Sequence, residues 1–482
     1  MKFFRGKIFF QFGIILVCLM GCSKDGVQKK EPIIIPATNT VGVLQYEHEV
    51  ADGLTLFSVS TDTYLINNCG QVINKWVSDN LPGNSVYLLE DGSILRAGQL
   101  NNPDMLYAGG GGLIEKKSWD DELLWSYTHS TATILQHHDA YPMPNGNVML
   151  LVVEKITAQE AIDAGRDPDK IDGDFLYIEK LVEIQPQGLN GGIVVWEWNV
   201  LDHLVQDFDS DKDNFGVVAD NPQLMDFNFI DDLNPLSIDW LHTNSIAYNQ
   251  DLDQVLLSVN GISEFWIIDH STTIQIAAGS TGGIRGKGGD ILYRWGNNEA
   301  YGVGDSDSQQ MFRQHTPYWI PKGYSDEGNI MLFNNLSGKS VQSSSIDIVE
   351  IPGGITGEYL VNGNGYFEPE MPKWTYENLD DPEGFYSRIL SNAQRLKNGN
   401  TLVCEGASGH IFEINSNKEV VWSYVNPVAI NGTVTEQGED VMTNMLFRAF
   451  KYSLDYPAFE GKELIPQDPI EINFDIGNCE QM

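Results

Sequence analysis

Histidines at matching points of a degenerate repeat constrain this chain more than any other feature. The segments QHHDAYPMPNGNVML, DWLHTNSIAYNQDLDQVLL and SRILSNAQRLKNGNTLV share one frame. In it His138, His242 and Ser391 each stand seven residues before an asparagine (Asn145, Asn249, Asn398) that opens a turn, and an apolar strand follows. GNSVYLLEDGSILRAG fits the frame with Asn84 and Asp91. RQHTPYWIPKGYSDEGNIMLFNN fits it with a longer hairpin: His315 reaches Gly328 after thirteen residues, where His138 reaches Gly146 after eight. Repeats stacked around an axis bring equivalent positions together. His138, His242 and His315 are therefore expected to share one site.

Tryptophan counts the repeat a second way. It recurs late in short β-like segments at Trp76, Trp125, Trp196/Trp198, Trp295, Trp374 and Trp422. Inner-strand frames begin near Asn84, His138, His242, His315 and Ser391, with a further candidate in TNMLFRAFKY near Asn444. Six of each predicts an all-β fold, a six-bladed β-propeller with the first strand of each blade at the axis. Trp76 precedes the first inner strand and no tryptophan segment follows the last one. The strands around Thr63–Trp76 should then complete the blade begun near Asn444, so that N- and C-terminal strands share one blade and no edge is left open. That closure would bring Cys69 near Cys479, and the two are expected to pair. A pair of β-sandwiches is the other architecture open at this point. The uneven frame spacing of 54, 104, 73 and 76 residues argues against a β-helix, whose rungs are short and even.

The long gap between His138 and His242 holds insertions. TAQEAIDAGRD reads as a short helix with Thr157 and Glu160 as a capping box. DFDSDKDNFG sets Asp207, Asp209, Asp211 and Asp213 at alternate positions, a spacing that can converge on Ca²⁺. The twelfth position of that loop is Val218 rather than Glu and Gly216 is displaced, so a solvated acidic loop is the favoured reading.

The N-terminus sets the compartment. Lys2, Arg5 and Lys7 precede a largely apolar run, Ile8 to Val17, too short to span a bilayer. Leu19-Met20-Gly21-Cys22 resembles a bacterial lipobox. The expected organisation is a lipoprotein signal peptide over 1–21, a tether over 22–40 and the propeller over 41–482. Cys22 would carry lipid, making the protein exported and anchored to the cell envelope, with that lipid its one contact with the membrane. Twenty-nine basic against 67 acidic residues give a net charge of −38. No basic stripe could neutralise phosphates, which argues against a nucleic-acid partner. An anionic substrate would need positive charge supplied locally.

The ordered set HHDAYPMPNGN, DWLHTNSIAYN, LYRWGN, QHTPYWIP and QRLKNGNTL…EG resembles the bacterial aryl-sulfate sulfotransferase family. The resemblance runs from about residue 41 to about 465. It implies a six-bladed propeller with the active site at the channel mouth. It also implies transfer of a sulfuryl group from an aryl sulfate donor to a phenol acceptor, with no cofactor and no nucleotide sulfate donor. By motif, His315 matches the nucleophile that carries the group, in a ping-pong mechanism, and His138 and His242 match the sulfate-binding histidines. Where the family has an arginine that grips the sulfate, this chain has Asn260, which offers a hydrogen bond but no charge. Arg313 and Arg395 are possible substitutes, although Arg395 in QRLKNGN reads better as a bridge between blades.

The residues support the same chemistry on their own terms. Neutral imidazole attacks sulfur and leaves again, dividing one hard step into two. Protonated His138 and His242 would offset charge on the sulfuryl oxygens and move protons at the phenol. Tyr141, Trp240, Tyr318, Trp319, Phe265 and Trp266 are candidates to wall a ring-shaped site. His137 should face the opposite side of its strand from His138, so a one-residue slip would exchange them. His48, His129, His203, His270 and His410 fall outside the frame and read as structural or surface residues. GGIRGKGGD fails P-loop spacing, and no GxGxxG, HExxH or GxSxG occurs. No Cys/His spacing suggests a metal. The alternative function is a non-catalytic envelope propeller that binds a glycan, peptide or protein partner at the same channel mouth.

Overall fold

Seven-residue frames become inner strands because each ends in a turn that its own side chain closes. The Oδ1 atoms of Asp91, Asn145 and Asn398 accept from the backbone N–H two residues on, at 2.9–3.0 Å. Gly92, Gly146 and Gly399 follow at φ +81°, +86° and +92°, a region that favours glycine. The apolar second strand then returns alongside the first.

A computed structural model describes residues 33–230, 238–336, 342–354, 356–378, 381 and 384–479. The segments expected to be a signal peptide and lipobox, and the first part of the expected tether, lie outside the described residues. Six small antiparallel sheets form the ring. The first blade runs Pro82–Leu88, Ile94–Gln99, Gly112–Lys117 and Leu123–Thr128. The second runs Ile134–Pro142, Val148–Thr157, Phe175–Gln187 and Gly191–Asn199. The third has Thr243–Asn249 innermost, the fourth His315–Trp319 and the fifth Asn392–Arg395. The sixth joins Ala449–Tyr452 to Leu54–Val59, Asp62–Ile66 and Val72–Val77, the expected closure by both ends of the chain. A strand the sequence reading did not foresee, Gly42–Tyr46, adds to the outer edge of the fifth blade by pairing with Val420–Val425.

The recurring tryptophans are joints between blades. Each stands in the outermost of its blade's four repeat strands, and at five of the six joints an indole N–H reaches a backbone carbonyl of the next blade. Trp76 donates to Ser118, Trp125 to Gly191, Trp198 to Gly289, Trp295 to Pro369 and Trp422 to Asn68, at 2.7–2.9 Å. At the sixth joint Trp374 stacks instead under Arg395 and Lys418 of the fifth blade. Arg395 also bonds Thr401 and Asp326, so it bridges blades as expected.

Insertions sit within the second blade and between it and the third. Ala158–Asp163 is helical, with the Thr157–Glu160 capping box in place. Asp209 closes a local turn onto Asp211, and among the described residues no cluster of acidic, His or Cys side chains could hold a metal. The described part of the tether lies against the C-terminal tail: Ile34 N–H donates to Asn478 and Asn39 to the Asp475 carbonyl.

At the axis Asp139 and Arg448 form a buried pair at 2.8 Å. Asp139 also accepts from Tyr87 Oη at 2.9 Å and from Ile246 N–H at 3.0 Å, while Arg448 bonds the Asn244 carbonyl at 3.2 Å. Four inner strands therefore meet at one carboxylate. Removing one member of such a pair leaves a buried charge unmatched. Arg448→Met is expected to cost about 3–5 kcal/mol in denaturant unfolding, and Asp139→Asn/Arg448→Met less than the two single changes added together. Cys69 and Cys479 are disulfide-bonded across 410 residues with their Cα atoms 5.8 Å apart. Cys69→Ser is expected to lower unfolding stability by about 2–5 kcal/mol under oxidising conditions and to have no effect in reductant.

Candidate active site

The frame positions share an unusual backbone. Asn84, His138, His242 and Ser391 have φ of 86°, 46°, 44° and 93°; in the fourth blade the feature moves one residue on, to Thr316 at 52°. Left-handed backbone is uncommon for such residues and clusters at functional sites. Strand pairing slips at the same places, between Leu150 and Leu151 opposite His138, after Thr243, and after His315. Each slip is a bulge that re-aims the side chains entering the channel.

That bulge changes the expectation for His137. Strict alternation would separate it from His138, but both rings turn to the same cluster, with their Nδ1 atoms 2.9 Å apart. His137 Nε2 meets Glu179 at 3.0 Å. A carboxylate accepts, so His137 donates through Nε2 and receives the Nδ1 proton of His138. The relay Glu179–His137–His138 thus leaves the lone pair of His138 on Nε2. His138 is cradled by Gly109, where a Cβ would come within 2.3 Å of its ring and φ is +75°.

His242 adjoins His138, ring centroids 4.8 Å apart and nearly perpendicular. It immediately precedes its strand and keeps 24% of its side chain exposed, opening the site to solvent. Its Nδ1 donates to Asp239 at 2.6 Å. Tyr107 stacks on His242 and donates to Asp239 at 2.7 Å. His315 Nδ1 donates to Asn335 Oδ1 at 2.8 Å, and its Nε2 accepts from Leu390 N–H at 3.1 Å. The three histidines thus fix their tautomers the same way, each with Nδ1 committed.

They do not titrate alike, whereas the sequence reading has both His138 and His242 protonated. Burial, and then the neighbouring His242, His137 and His315, hold His138 well below 6.5. Burial pushes His315 down to about 3. Burial also works against a charge on His242, but the Asp239 carboxylate overrides it and raises this imidazole above 6.5. The surroundings therefore favour the imidazolium on His242 and the neutral imidazole on His138 and His315.

Asn260 lies in a short 3₁₀ turn, and its Nδ2 donates to the Gln314 carbonyl at 2.9 Å, next to His315. Arg313 covers the same turn: its Nη1 donates to the Asn260 and Gly261 carbonyls at 3.2 and 2.9 Å. Of the aromatic candidates, Trp240, Phe265 and Trp266 are core residues, and Tyr141, Tyr318 and Trp319 line the channel further in. The rings that touch the histidines are Tyr107 and Phe447. Tyr107 was signalled only by the glycine run that follows it. Arg448 stands seven residues before Asp455, the interval that marks His138 and His242, and it immediately precedes its inner strand. A frame begun at Asn444 misses it by four residues.

A search of curated proteins finds no match. Among solved structures, the chain is similar to a protein of unknown function from Bacteroides caccae, at 12% identity and TM-score 0.42, over 83% of this chain and 98% of that one. It is also similar to virginiamycin B lyase from Staphylococcus aureus, at 9% identity and TM-score 0.34, over 81% and 86%. Likenesses at these scores carry no functional argument. The profile of the family described as Arylsulfotransferase (ASST) matches residues 47–452. The chain belongs to the arylsulfotransferase family.

Proposed function

We propose that this protein moves a sulfuryl group from an aryl sulfate to a phenol by a ping-pong route through His315, as an exported lipoprotein held by Cys22. Family membership supports the sulfotransferase activity and its substrate classes. What supports the mechanism is the contrast among the three imidazoles: the Asp239 carboxylate favours charge on His242, while burial disfavours it on His138 and His315.

In the first half-reaction the lone pair of His315 Nε2 attacks sulfur. The sulfur–oxygen bond to the aryl group breaks, and its electrons go to the phenolate oxygen. His242, charged by Asp239, gives that oxygen a proton. In the second half-reaction neutral His242 takes the proton of the acceptor phenol. The phenol oxygen attacks sulfur, and the N–S electrons return to His315. Attack requires the Leu390 N–H to leave Nε2. Leu390 and Ser391 both hold left-handed φ, at 63° and 93°, so strain is stored in the segment that has to give way. Once freed, that N–H would be available to donate to a sulfuryl oxygen on Nε2.

A bound sulfate anion favours a proton on His138, opposing the burial and the neighbouring positive charge that hold its pKa down. Asn260 contributes by positioning Gln314 rather than by gripping sulfate. Arg313, whose charge weighs on His242, supplies the local cation that a chain of this net charge needs.

Two outcomes test the reading. Brief exposure to an aryl sulfate without acceptor should leave a sulfated peptide containing His315 in mass spectrometry, absent in His315→Ala, whose transfer rate should fall about a thousandfold or more. A histidine raised by its partner loses its proton as pH climbs through the raised value. The rate of the first half-reaction should therefore hold through neutral pH and decline on an alkaline limb above 6.5. Asp239→Asn should move that limb to lower pH and reduce the rate at pH 7 about tenfold, measured as a pH profile of donor turnover.

A further inference from the structure

Two asparagines hold the same place in neighbouring blades. Asn260 follows the second strand of the third blade, Gln254–Val259, and Asn335 follows that of the fourth, Ile330–Asn334. Their sequence intervals differ: Asn260 stands 18 residues after His242, and Asn335 stands 20 after His315. Each sends Nδ2 forward to the carbonyl just before the next blade's frame position. Asn260 donates to Gln314, ahead of His315, at 2.9 Å, and Asn335 to Leu390, ahead of Ser391, at 3.1 Å. Asn335 Nδ2 also donates to the Ser387 carbonyl, at 2.7 Å. To this point both side chains are staples between blades.

Asn335 does one thing more. Its amide hydrogens are spent on two carbonyls, so its oxygen, and not its nitrogen, faces His315 Nδ1 at 2.8 Å. An amide oxygen only accepts, which leaves the lone pair of His315 on Nε2. The amide is fully buried, and Ser344 braces it: its hydroxyl donates to the Asn335 carbonyl at 3.3 Å and accepts from Ser387 N–H at 3.0 Å. His242 makes the same bond to a different kind of oxygen. Asp239 accepts from its Nδ1 at 2.6 Å, and a carboxylate there favours the imidazolium. An amide orients the ring without a full charge. The titratable and charged groups whose influence reaches His315 are His242 and Arg448, and both oppose a proton on it. The Asn335 bond and the Arg313 carbonyl favour one but do not offset burial.

We propose that Asn335 is the positioning residue that sets His315 apart from His242, fixing it as a neutral imidazole with its lone pair on Nε2. The use of that lone pair on sulfur rests on the sulfotransferase route through His315; the assignment of tautomer and charge to Asn335 does not.

Nitrogen NMR of the full-length protein carrying isotope-labelled histidine, with neither donor nor acceptor present, tests this. His315→Gln serves as the subtraction that assigns the signal. The expected wild-type spectrum has His315 protonated on Nδ1 alone from about pH 5 to 8. Asn335→Asp keeps the side-chain shape and exchanges the amide for a carboxylate, which favours the imidazolium. His315 in that variant should carry protons on both nitrogens at about pH 6. An imidazolium has no lone pair for attack, so phenol release from an aryl sulfate should gain an acidic limb. The rate should be down about tenfold or more near pH 6 against wild type and recover as pH rises. A merely structural defect would lower the rate equally at every pH. The proposal falls if the wild-type ring carries its proton on Nε2. It falls equally if Asn335→Asp, folded by circular dichroism, leaves His315 neutral near pH 6 with a pH profile parallel to wild type. An Nδ1-protonated His315 that becomes an imidazolium in Asn335→Asp, in a protein that forms no sulfated His315 peptide, upholds the assignment and overturns the route.

Discussion

One buried carboxylate holds the centre of this protein together. Asp139 gathers Arg448, Tyr87 and the Ile246 amide, which belong to the inner strands of the sixth, first and third blades, onto the inner strand of the second. In a low-dielectric interior such a group is tolerated only when each of its oxygens is met. Meeting them fixes the relative height of four strands at the axis. His138 is the next residue in the chain, and His242 lies four residues before Ile246. The rings of His138 and His242 are therefore carried by the same contacts that close the hub.

Around that hub the inner strands depart from regular pairing. A plain strand alternates its side chains, so it could present either His137 or His138 to the channel but not both. The bulge opposite Leu150 and Leu151 presents both, and Glu179 then orders their protons. Asp239 and Tyr107 do the same for His242 from the loops beside it. Inner strands set positions, and carboxylates from outside those strands set the protonation.

Much of this was legible in the sequence. The propeller, its six blades, the closing blade and the Cys69–Cys479 bridge follow from periodicity, because turns and blade joints recur with the fold. The convergence of His138, His242 and His315 follows from the same frame. What the frame could not show is whatever reaches the site from outside the inner strands. Asp239, Glu179, Asn335 and Tyr107 sit at no repeated interval, and they are brought to the histidines only by folding. The opposite protonation tendencies of His138 and His242 were invisible for that reason, since one imidazole has a carboxylate and the other has imidazoles as neighbours. Arg448 is a different kind of miss. It obeys the interval, but the sixth frame was anchored on Asn444 instead of on the turn at Asp455.

The indole joints all run in one sense around the ring, each blade reaching forward to the backbone of the next. A carbonyl as acceptor leaves the receiving blade free to vary its side chains at the seam. Evolutionary drift on one blade's outer surface therefore need not be matched by its neighbour, provided the donor tryptophan and the path of the accepting loop are retained. Such a wheel can diversify its rim sector by sector while the axle stays unchanged.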